Sequence, residues 1–403
     1  MNNLIVMKFG GSSVANTEKI INVANRVTEK ARKNHIVVVV SAPGDMTDDL
    51  IDRAKSITES PDPREMDMLL ATGEIQSIAL LSMAIKSKGF DAISLTGPQA
   101  GIHANNVHTK AKIRKIRPKK ILEELKKNKI VIVAGFQGLN SNDDFATLGR
   151  GGSDLTAVAL AAALKAKECE IYTDVKGVYT TDPRLISEAK KLDKISYDEM
   201  LELAGVGSQV MMSRSIEVAK KYNVNIHVRS TFSNEKGTII TKEVSQMEDV
   251  VVSGVAFDKN ESKVSITDVP DRPGIAANIF GALSGKNINV DMIIQSAARE
   301  KYNDISFTVS KNDLKNAVSI LKNISNKLNA GPVIYDENVA KVSIVGIGMR
   351  SHPGVAAKMF KIFSDEDINI QMISTSEIKI SCIISSKDTD RAVKILHKKF
   401  GLG

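Results

Sequence analysis

The first side chains that could do chemistry lie in residues 4–13, where an apolar run ends in Lys8, a pair of glycines and two serines. A segment compatible with a helix follows at residues 14–33. A strand, a glycine turn and a helix in this order expose backbone N–H groups and a helix N-terminus to an anion. Lys8 adds a mobile positive charge. The pattern predicts either a phosphate-binding cradle or an ordinary strand-to-helix turn with a lysine at the surface.

A second glycine segment, residues 147–154 (Thr-Leu-Gly-Arg-Gly-Gly-Ser-Asp), precedes an alanine-rich helix. Asp154 by itself could be a helix cap. A cap does not account for Arg150, because a position between glycines is a poor place for a merely solvated side chain. The Arg150 guanidinium can hold a carboxylate through two parallel hydrogen bonds. Asp154 could then orient Lys8 or a metal-bound phosphate.

A candidate partner for a substrate ammonium is Glu74, in the sequence Ala-Thr-Gly-Glu at residues 71–74. The alternative interpretation is one exposed glutamate on an amphipathic helix. No Ser/His/Asp arrangement can be argued, and the six histidines show no metal-ligand spacing. We therefore assign no residue as a metal ligand.

The elements that must position these residues alternate between strands and helices up to about residue 240. Strands are predicted at residues 4–9, 36–41, 91–96, 130–134, 170–173 and 225–228, and helices at 65–88, 118–128, 153–165 and 213–222. Continuous β-branched runs such as residues 36–40 indicate a mainly parallel sheet covered on both faces. Ligands bind at the carboxyl ends of such strands, where both glycine segments are expected.

Composition narrows the class of function. A chain of 403 residues predicts two or three domains. The net charge of +8 is spread along the chain, aromatic residues make up 4% and tryptophan is absent. Stacking platforms for nucleic acid are therefore not expected, and a small anionic substrate fits better. Cys169 and Cys382 lie in apolar runs and are interpreted as buried thiols of a cytoplasmic protein. No segment approaches the length of a membrane span or has the pattern of a secretion signal.

An internal repeat occupies the second half. Residues 273–280 recur at 353–360, and residues 288–293 recur at 368–373, both with an offset of 80 positions. Each copy is predicted to be a βαββαβ unit. The second copy lacks its last strand, and the apolar residues 250–257 are the natural donor. We therefore predict a discontinuous second unit of residues 246–262 plus 338–403, with the first unit, 263–337, inserted within it.

The motifs of the first half, residues 1–245, resemble those of aspartate kinases in the amino-acid-kinase superfamily. The matching segments come in the family's order, and they are residues 8–13, 41–47, 71–74, 147–154 and 173–179. A Walker A sequence, a protein-kinase signature and a dinucleotide fingerprint are missing. The resemblance implies a three-layer α/β/α sandwich with a mostly parallel sheet. It also implies transfer of a phosphoryl group from ATP with Mg²⁺ to the side-chain carboxylate of L-aspartate.

Roles follow from the resemblance position by position. Lys8 and Asp154 are implied to be catalytic. The residues implied to bind aspartate are Ser41, Thr47, Glu74, Arg150, Gly151, Gly152 and Ser153. The residues implied to bind ATP are Lys8, Phe9, Gly10, Gly11, Ser12, Thr173, Asp174, Tyr179 and Arg184. Two positions depart from the family pattern. Ser12 replaces a usual threonine but keeps the hydroxyl, and Asn105 replaces a usual aspartate, so the loop around it is not expected to make charge contacts.

The two repeats resemble ACT domains, which bind amino acids at the turn between the first strand and the first helix. The implied effector residues are Asp271, Ala276, Gln295, Asn369, Ser376 and Glu377. Lysine or threonine is the expected effector, and ACT units pair into a homodimer, which could assemble further into a dimer of dimers. A purely structural dimerisation module is the alternative. For the whole chain the alternatives are a non-catalytic amino-acid sensor, a same-fold kinase for another acid such as acetylglutamate, and an ACT-bearing dehydrogenase.

Overall fold

The computed structural model describes residues 3–205, 211–242, 251–297, 301–350 and 352–403. Met1, Val250, Ser351 and the predicted boundary at residues 245–246 lie outside the described residues. The chain forms two compact units. The first consists of Met1–Val178, Lys191–Ala204 and Gln209–Ser245, and the second of Tyr179–Lys190, Gly205–Ser208 and Gln246–Gly403.

The elements of the first unit alternate as the sequence predicts. In chain order they are β1 (Leu4–Phe9), α1 (Thr17–Ala31), β2 (His35–Val40), α2 (Met46–Ile57), α3 (Pro63–Lys86), β3 (Ala92–Leu95), β4 (Ile102–Ala104), β5 (Ile113–Ile116), α4 (Lys119–Lys126), β6 (Ile130–Ala134), β7 (Gln137–Leu139), β8 (Phe145–Thr147), α5 (Gly152–Leu164), β9 (Glu168–Thr173), β10 (Lys194–Ser196), α6 (Tyr197–Gly205), α7 (Ser213–Tyr222), β11 (Ile226–Ser230) and β12 (Thr238–Thr241).

An eight-stranded sheet forms the centre of the first unit in the order β10-β12-β11-β9-β1-β2-β6-β3. Its pairs are parallel except for β11 with β12. Both faces are covered, so every residue of β1 and β6 is buried. Helices α1 and α3 pack their apolar faces on one side of β1, β2 and β6, and α5, which is buried through most of its length, contacts β1, β2 and β9. The predicted α/β fold class is confirmed.

Several parts of this unit were not predicted, among them strands β10 and β12 of the central sheet. Helix α2 forms where the sequence after β2 is rich in turn residues, and its aspartates at positions 48 and 49 lie in the first turn, where they complement the helix dipole. A second sheet, in the order β5-β4-β7-β8, consists of strands of three or four residues. Strands this short carry too few residues to show a period of two.

Helix α3 is long and apolar enough to cross a membrane by length and composition alone. In the structure half of that apolar window is buried inside the protein, where the helix packs on the sheet and on α1 and α2. Asp67 and Glu74 lie on its buried side. Its apolar character is therefore accounted for by packing in a core.

The second unit is built around one six-stranded antiparallel sheet. Its elements are β13 (Gly254–Pro270), α8 (Ile275–Ser284), β14 (Ile293–Gln295), β15 (Tyr302–Ser310), α9 (Leu314–Leu328), β16 (Val333–Val345), α10 (Val355–Asp365), β17 (Ile370–Thr375), β18 (Lys379–Ser385) and α11 (Thr389–Lys399). The order of strands is β14-β15-β13-β16-β18-β17.

The repeat appears in the register of the two central strands. Gly254 pairs with Val345 and Ser265 pairs with Ile334, so the β13–β16 ladder maps onto itself when each residue moves by 80 positions. Each long strand therefore serves both repeats, and two predicted short strands are joined in each of them. The boundaries of the two repeats stay a prediction, because the sheet is continuous across them.

Two larger cores lie along this sheet, beside a small cluster that contains Met292, Val339, Met372 and Ile383. One is formed by the first repeat, with Val264, Phe307 and Leu321 among its members. The other contains Val252, Val255 and residues of β16, β18, α10 and α11. Ile186 also lies in this second core. The segment Tyr179–Lys190, which the sequence places in the first domain, therefore packs with the second unit.

Candidate active site

The two glycine segments meet at Lys8 and Asp154. Lys8 is the last residue but one of the central strand β1, and only 8% of it is exposed. Asp154 lies in the first turn of α5, where a carboxylate is favoured by the helix dipole. The Lys8 Nζ atom is 2.6 Å from Asp154 Oδ1. The structure therefore brings the predicted catalytic pair together at the carboxyl end of the sheet.

The turn after β1 is shaped by a close approach of backbones. Residues Gly11–Ser13 form a single 3-10 turn, and the Gly10 N–H donates to the carbonyl of Tyr172 at 3.3 Å. A Cβ atom on Gly11 would lie 2.7 Å from the Ala42 carbonyl oxygen and 2.9 Å from that of Gly44. Only glycine fits at this position, and helix α1 starts later than predicted, at Thr17.

Residues of this turn differ in what they offer to a ligand. Ser12 is exposed, whereas the buried Ser13 hydroxyl lies 2.6 Å from the Thr231 hydroxyl and has a structural role. The Phe9 side chain is fully buried and stacks on Tyr172 with a centroid distance of 4.6 Å. The prediction that Phe9 contacts ATP is therefore limited to its backbone.

Glu74 is buried beside this turn. Its Oε1 atom accepts a hydrogen bond from the Ala42 N–H at 3.0 Å, and its Oε2 atom is buried without a hydrogen-bond partner in the part of the chain that the structure describes. The helix approaches Ala42 closely, because a Cβ atom on Gly73 would lie 2.7 Å from the Ala42 Cβ atom. Burial raises the pKa of Glu74 to about 7. The alternative interpretation as an exposed glutamate is wrong.

Ala42 links Glu74 to the first glycine segment, because its carbonyl faces Gly11 while its N–H binds the carboxylate. Ser41 and Thr47 lie on the same connection between β2 and the first turn of α2, and both are half-buried. The Ser41 N–H donates to the Phe9 carbonyl at 3.2 Å. The structure thus places these predicted substrate residues on the segment next to Gly11.

The loop between β8 and α5 depends on glycine conformations. Gly149 and Gly151 have φ angles of 78° and 71°, in the left-handed region that glycine tolerates. Gly152 and Ser153 begin helix α5, and both are buried. Arg150 is different, because its side chain is 92% exposed and comes no closer than 3.8 Å to a carboxylate oxygen of Asp48. Its binding of a substrate carboxylate stays a prediction.

The predicted nucleotide residues are divided between the two units. Thr173 and Asp174 end β9 in the first unit, and the Thr173 hydroxyl donates to Asp174 Oδ1 at 3.0 Å. Tyr179 and Arg184 belong to the second unit. The Arg184 guanidinium pairs with Asp182 at 2.8 Å and lowers the pKa of that carboxyl group. The structure therefore does not gather all predicted nucleotide residues in one unit.

Residues of the predicted effector site lie at three places in the second unit. Asp271, Ala276 and Gln295 surround the turn from β13 to α8 in the first repeat, and Asp271 Oδ1 accepts a hydrogen bond from Asn303 at 3.2 Å. The remaining three belong to the second repeat: Asn369 precedes β17, and Ser376 and Glu377 lie between β17 and β18.

The β17–β18 turn and the β13–α8 turn lie at opposite ends of the six-stranded sheet. Val345, which pairs with Gly254 at one end, also pairs with Lys379 beside the β17–β18 turn. Pro270 pairs with Tyr302 at the other end. A single chain therefore does not bring all six predicted effector residues together.

Sequence reasoning missed residues that hold the glycine loop. Asp67 on α3 accepts a hydrogen bond from Thr147, and Arg214 on α7 donates to the carbonyls of Leu148 at 2.9 Å and Ala111 at 3.0 Å. The spacing gave one usable signal, because Asp67 precedes Glu74 by seven residues and therefore shares its face of the predicted helix.

The loop around Asn105 was also underestimated. Asn105 itself makes only local bonds, accepting from the Lys112 N–H at 2.8 Å. His108, however, contacts the Asp67 carboxylate through Nδ1 at 2.7 Å. The loop is therefore tied to α3 through His108, and its lack of charge contacts stays a prediction.

Comparisons with known proteins match this geometry. The amino acid kinase family model matches residues 3–230, and an ACT domain model matches residues 264–324 and 342–400. The aspartokinase of Pseudomonas aeruginosa is 51% identical over 402 residues, which covers 99% of this chain and 98% of that protein. The aspartate kinase of Stutzerimonas stutzeri is 50% identical over 401 residues, covering 99% and 97%.

The chain belongs to the aspartokinase family. Solved aspartokinase structures are similar to this chain over nearly its whole length. E. coli aspartokinase III in complex with aspartate and ADP superimposes with a TM-score of 0.83 at 25% identity, covering 98% of this chain and 99% of that one. Its complex with lysine and aspartate gives a TM-score of 0.78 at the same identity and coverage.

Proposed function

We propose that this aspartokinase transfers the γ-phosphoryl group of ATP to the side-chain carboxylate of L-aspartate, giving 4-phospho-L-aspartate, the first step of the aspartate pathway to lysine, threonine and methionine. The observation that carries the proposal is the buried Glu74 beside the Gly11 turn, because its Oε2 atom has no hydrogen-bond partner among the residues described. A buried acceptor without a partner is costly, and a substrate ammonium would satisfy it. The full-length similarity to aspartokinases supports the same substrate.

The chemistry needs little from the protein as acid or base. The aspartate side chain is ionised near neutral pH, so its oxygen can attack the γ-phosphorus without a general base. The new O–P bond forms as the bond to the ADP oxygen breaks, and the electron pair leaves with ADP. Catalysis is then reduced to alignment of the two substrates and stabilisation of negative charge on the transferring group.

Lys8 and the Gly10-Gly11 turn supply the charge stabilisation. A lysine held by Asp154 at 2.6 Å is already oriented before the phosphate arrives, so little reorganisation is needed. Glu74 aligns the substrate ammonium. Arg150 lies on a loop between glycines with its side chain 92% exposed, and it binds the α-carboxylate in this proposal. The other predicted substrate residues belong to two segments. Ser41 and Thr47 lie on the connection from β2 to α2, and residues 151–153 lie at the start of α5.

Mg²⁺ fits the site as a partner of the nucleotide. Magnesium in phosphoryl-transfer sites uses one or two carboxylates together with phosphate oxygens. Carboxylates of this kind are Asp154, in the first turn of α5 beside Lys8 of β1, and the exposed Asp174, directly after β9. Bound with ATP, the ion would neutralise charge on the phosphates.

Regulation is proposed to act through the second unit, with lysine or threonine as effector. A second copy of the chain would place the β17–β18 turn of one protomer next to the β13–α8 turn of another, because edge strands β14 and β17 expose Ile293 and Ile373 for pairing. This pairing gives a homodimer, which could assemble further into a dimer of dimers. The enzyme is proposed to be cytoplasmic.

The chain itself connects the second unit to the predicted nucleotide residues, and this connection supports the proposed regulation. The chain leaves the first unit at Val178, directly after the predicted nucleotide residues Thr173 and Asp174. Beyond it, Thr180 binds His397 Nε2 at 2.9 Å and the Leu402 carbonyl at 3.2 Å. A rearrangement of α11 would therefore be carried along the chain to the end of β9.

Acyl-phosphate trapping tests the proposed reaction. The protein is incubated with ATP, Mg²⁺, hydroxylamine and one of three acids: L-aspartate, L-glutamate or N-acetyl-L-glutamate. We expect the hydroxamate of aspartate alone. Formation of the N-acetylglutamate hydroxamate without that of aspartate would overturn the substrate assignment, and the absence of any hydroxamate would overturn the kinase activity.

A further inference from the structure

Asp67 is a fully buried carboxylate that the reaction described above does not use. It lies on α3, two helical turns before Glu74 and on the same face of the helix. A buried carboxylate is retained in a protein interior only where hydrogen bonds satisfy it. The contacts of Asp67 are therefore informative about what it holds.

Within the described residues, the hydrogen bonds of the Asp67 side chain go to two other segments of the first unit. Oδ1 accepts from the Thr147 hydroxyl at 2.5 Å, Oδ1 and Oδ2 accept from the Thr109 N–H at 3.0 and 3.2 Å, and Oδ2 lies 2.7 Å from His108 Nδ1. Thr109 has a φ angle of 63°, which is unusual for threonine. The carboxylate thus fixes a backbone that would not adopt this conformation unaided.

Thr147 is the last residue before the glycine loop that carries Arg150. Glycines at positions 149 and 151 leave that loop with few conformational restraints of its own. The base of the loop is instead held from outside, by Asp67 on Thr147 and by Arg214 on the Leu148 carbonyl. One helix, α3, therefore carries both Glu74 and the group that anchors the loop opposite.

We propose that Asp67 is a positioning residue that sets the separation between Glu74 and the loop of residues 148–151, which ends where helix α5 and its Asp154 begin. The inference rests on the proposed function, in which Glu74 binds the ammonium and Arg150 the α-carboxylate of aspartate. Loss of the anchor lets the loop shift relative to α3, so the two ends of the substrate are no longer held at once. ATP, which is assigned to Lys8 and the Gly11 turn, is bound by a part of the site that Asp67 does not contact.

The test compares Asp67→Asn and Thr147→Val with the wild type in the full chain, measuring KM separately for aspartate and ATP. Asp67→Asn keeps the shape but turns an amide N–H₂ toward donors. Thr147→Val removes one hydroxyl and gives a second answer if Asp67→Asn does not fold. We expect the aspartate KM to rise by about ten- to a hundredfold while the ATP KM stays within about twofold.

Glu199→Gln is the matched control. Glu199 is a fully buried carboxylate that accepts from the Ser196 N–H and hydroxyl at 3.1 and 2.7 Å, at the start of α6. This variant should lower the melting temperature without changing either KM. An unchanged aspartate KM in Thr147→Val, or an equal rise of both KM values, overturns the positioning role. A wild type that forms no aspartyl hydroxamate overturns the proposed function instead, so the two failures are distinguishable.

Discussion

The Nζ atom of Lys8 lies 2.6 Å from the Oδ1 atom of Asp154, joining two glycine segments that are separated by more than a hundred residues in the sequence. Both side chains are 11% exposed. The Lys8 ammonium is therefore oriented before a phosphate enters the site. Its positive charge can stabilise the phosphate without first ordering a flexible side chain.

Replacement of Lys8 tests this relationship. Lys8→Met keeps the length of the side chain and removes the charge. We expect kcat to fall by about a hundredfold or more, because one preorganised group that stabilises transition-state charge is lost. Binding of lysine or threonine should persist, since the proposed effector residues belong to the second unit.

Lys33→Met is the control for Lys8→Met, because Lys33 is an exposed lysine after α1. It should retain wild-type kcat. A Lys8→Met enzyme with kcat within about threefold of the wild type would contradict the assigned role.

Glu74 should make aspartate binding depend on pH. Burial raises the pKa of Glu74 to about 7 in the free protein, and an ammonium binds the ionised form. Below pH 7 a proton must leave Glu74 before aspartate binds, so the aspartate KM should rise about tenfold for each pH unit by which the pH is lowered. Above pH 7 the aspartate KM should be constant. Steady-state kinetics from pH 5.5 to 8.5 measure this dependence, with the ATP KM as the internal reference.

Glu74→Gln should remove the pH dependence and raise the aspartate KM at pH 8. The same aspartate profile in wild type and variant would show that another group controls binding.

An independent check on Glu74 is the stability of the protein without substrate. The folded pKa of about 7 lies above the ordinary value of 4.5, so the folded state holds a proton that the unfolded state has released. Stability should therefore fall by about 3 kcal/mol as pH rises from 4.5 to 7, and Glu74→Gln should lack this loss.

A substitution at Gly11 should disturb the phosphate cradle. In Gly11→Ala the new Cβ would lie 2.7 Å from the Ala42 carbonyl oxygen, and this contact can be relieved only by moving backbone. We expect the ATP KM to rise by about tenfold or more. Gly281→Ala is the control, because nothing lies within 4 Å of its added Cβ and its helical position favours alanine. Equal ATP KM values for the two variants would contradict the role of Gly11.

The sequence predicted the parts of the site that depend on residue type and spacing. Lys8 and the first glycine segment were found because they end an apolar run of a parallel sheet, and Glu74 and residues 147–154 were found from their residue types and order. The repeat at 80 positions was found in the same way, from apolar residues that recur with one offset.

What escaped prediction depends on tertiary contacts. Asp67 is an ordinary polar residue in the sequence, and only the fold shows that Thr147 and His108 surround it. The solvent exposure of Arg150 depends on how a glycine loop folds, which has no periodic signal. Packing of Ile186 into the core of the second unit reassigns the segment Tyr179–Lys190, although nothing in its composition indicates this.

Effector binding is expected to involve Asp271. Its carboxylate lies beside the exposed turn from β13 to α8 and offers a partner for an effector ammonium. Equilibrium dialysis should show binding of lysine or threonine to the wild type and weaker binding, by about five- to thirtyfold, to Asp271→Asn. Asp365→Asn, at the end of α10, should bind as the wild type does. Failure of both amino acids to bind the wild type would remove the effector proposal.

The central claim is that this site phosphorylates a free amino acid whose ammonium is bound by Glu74. The most direct measurement is hydroxamate formation at pH 8 with L-aspartate and with N-acetyl-L-aspartate, which has the same side-chain carboxylate but no ammonium. We expect kcat/KM to be lower by about a hundredfold or more for the acetylated acid, because Glu74 is then left buried and unpaired. Equal kcat/KM values for the two acids, or no hydroxamate from aspartate, would contradict the account.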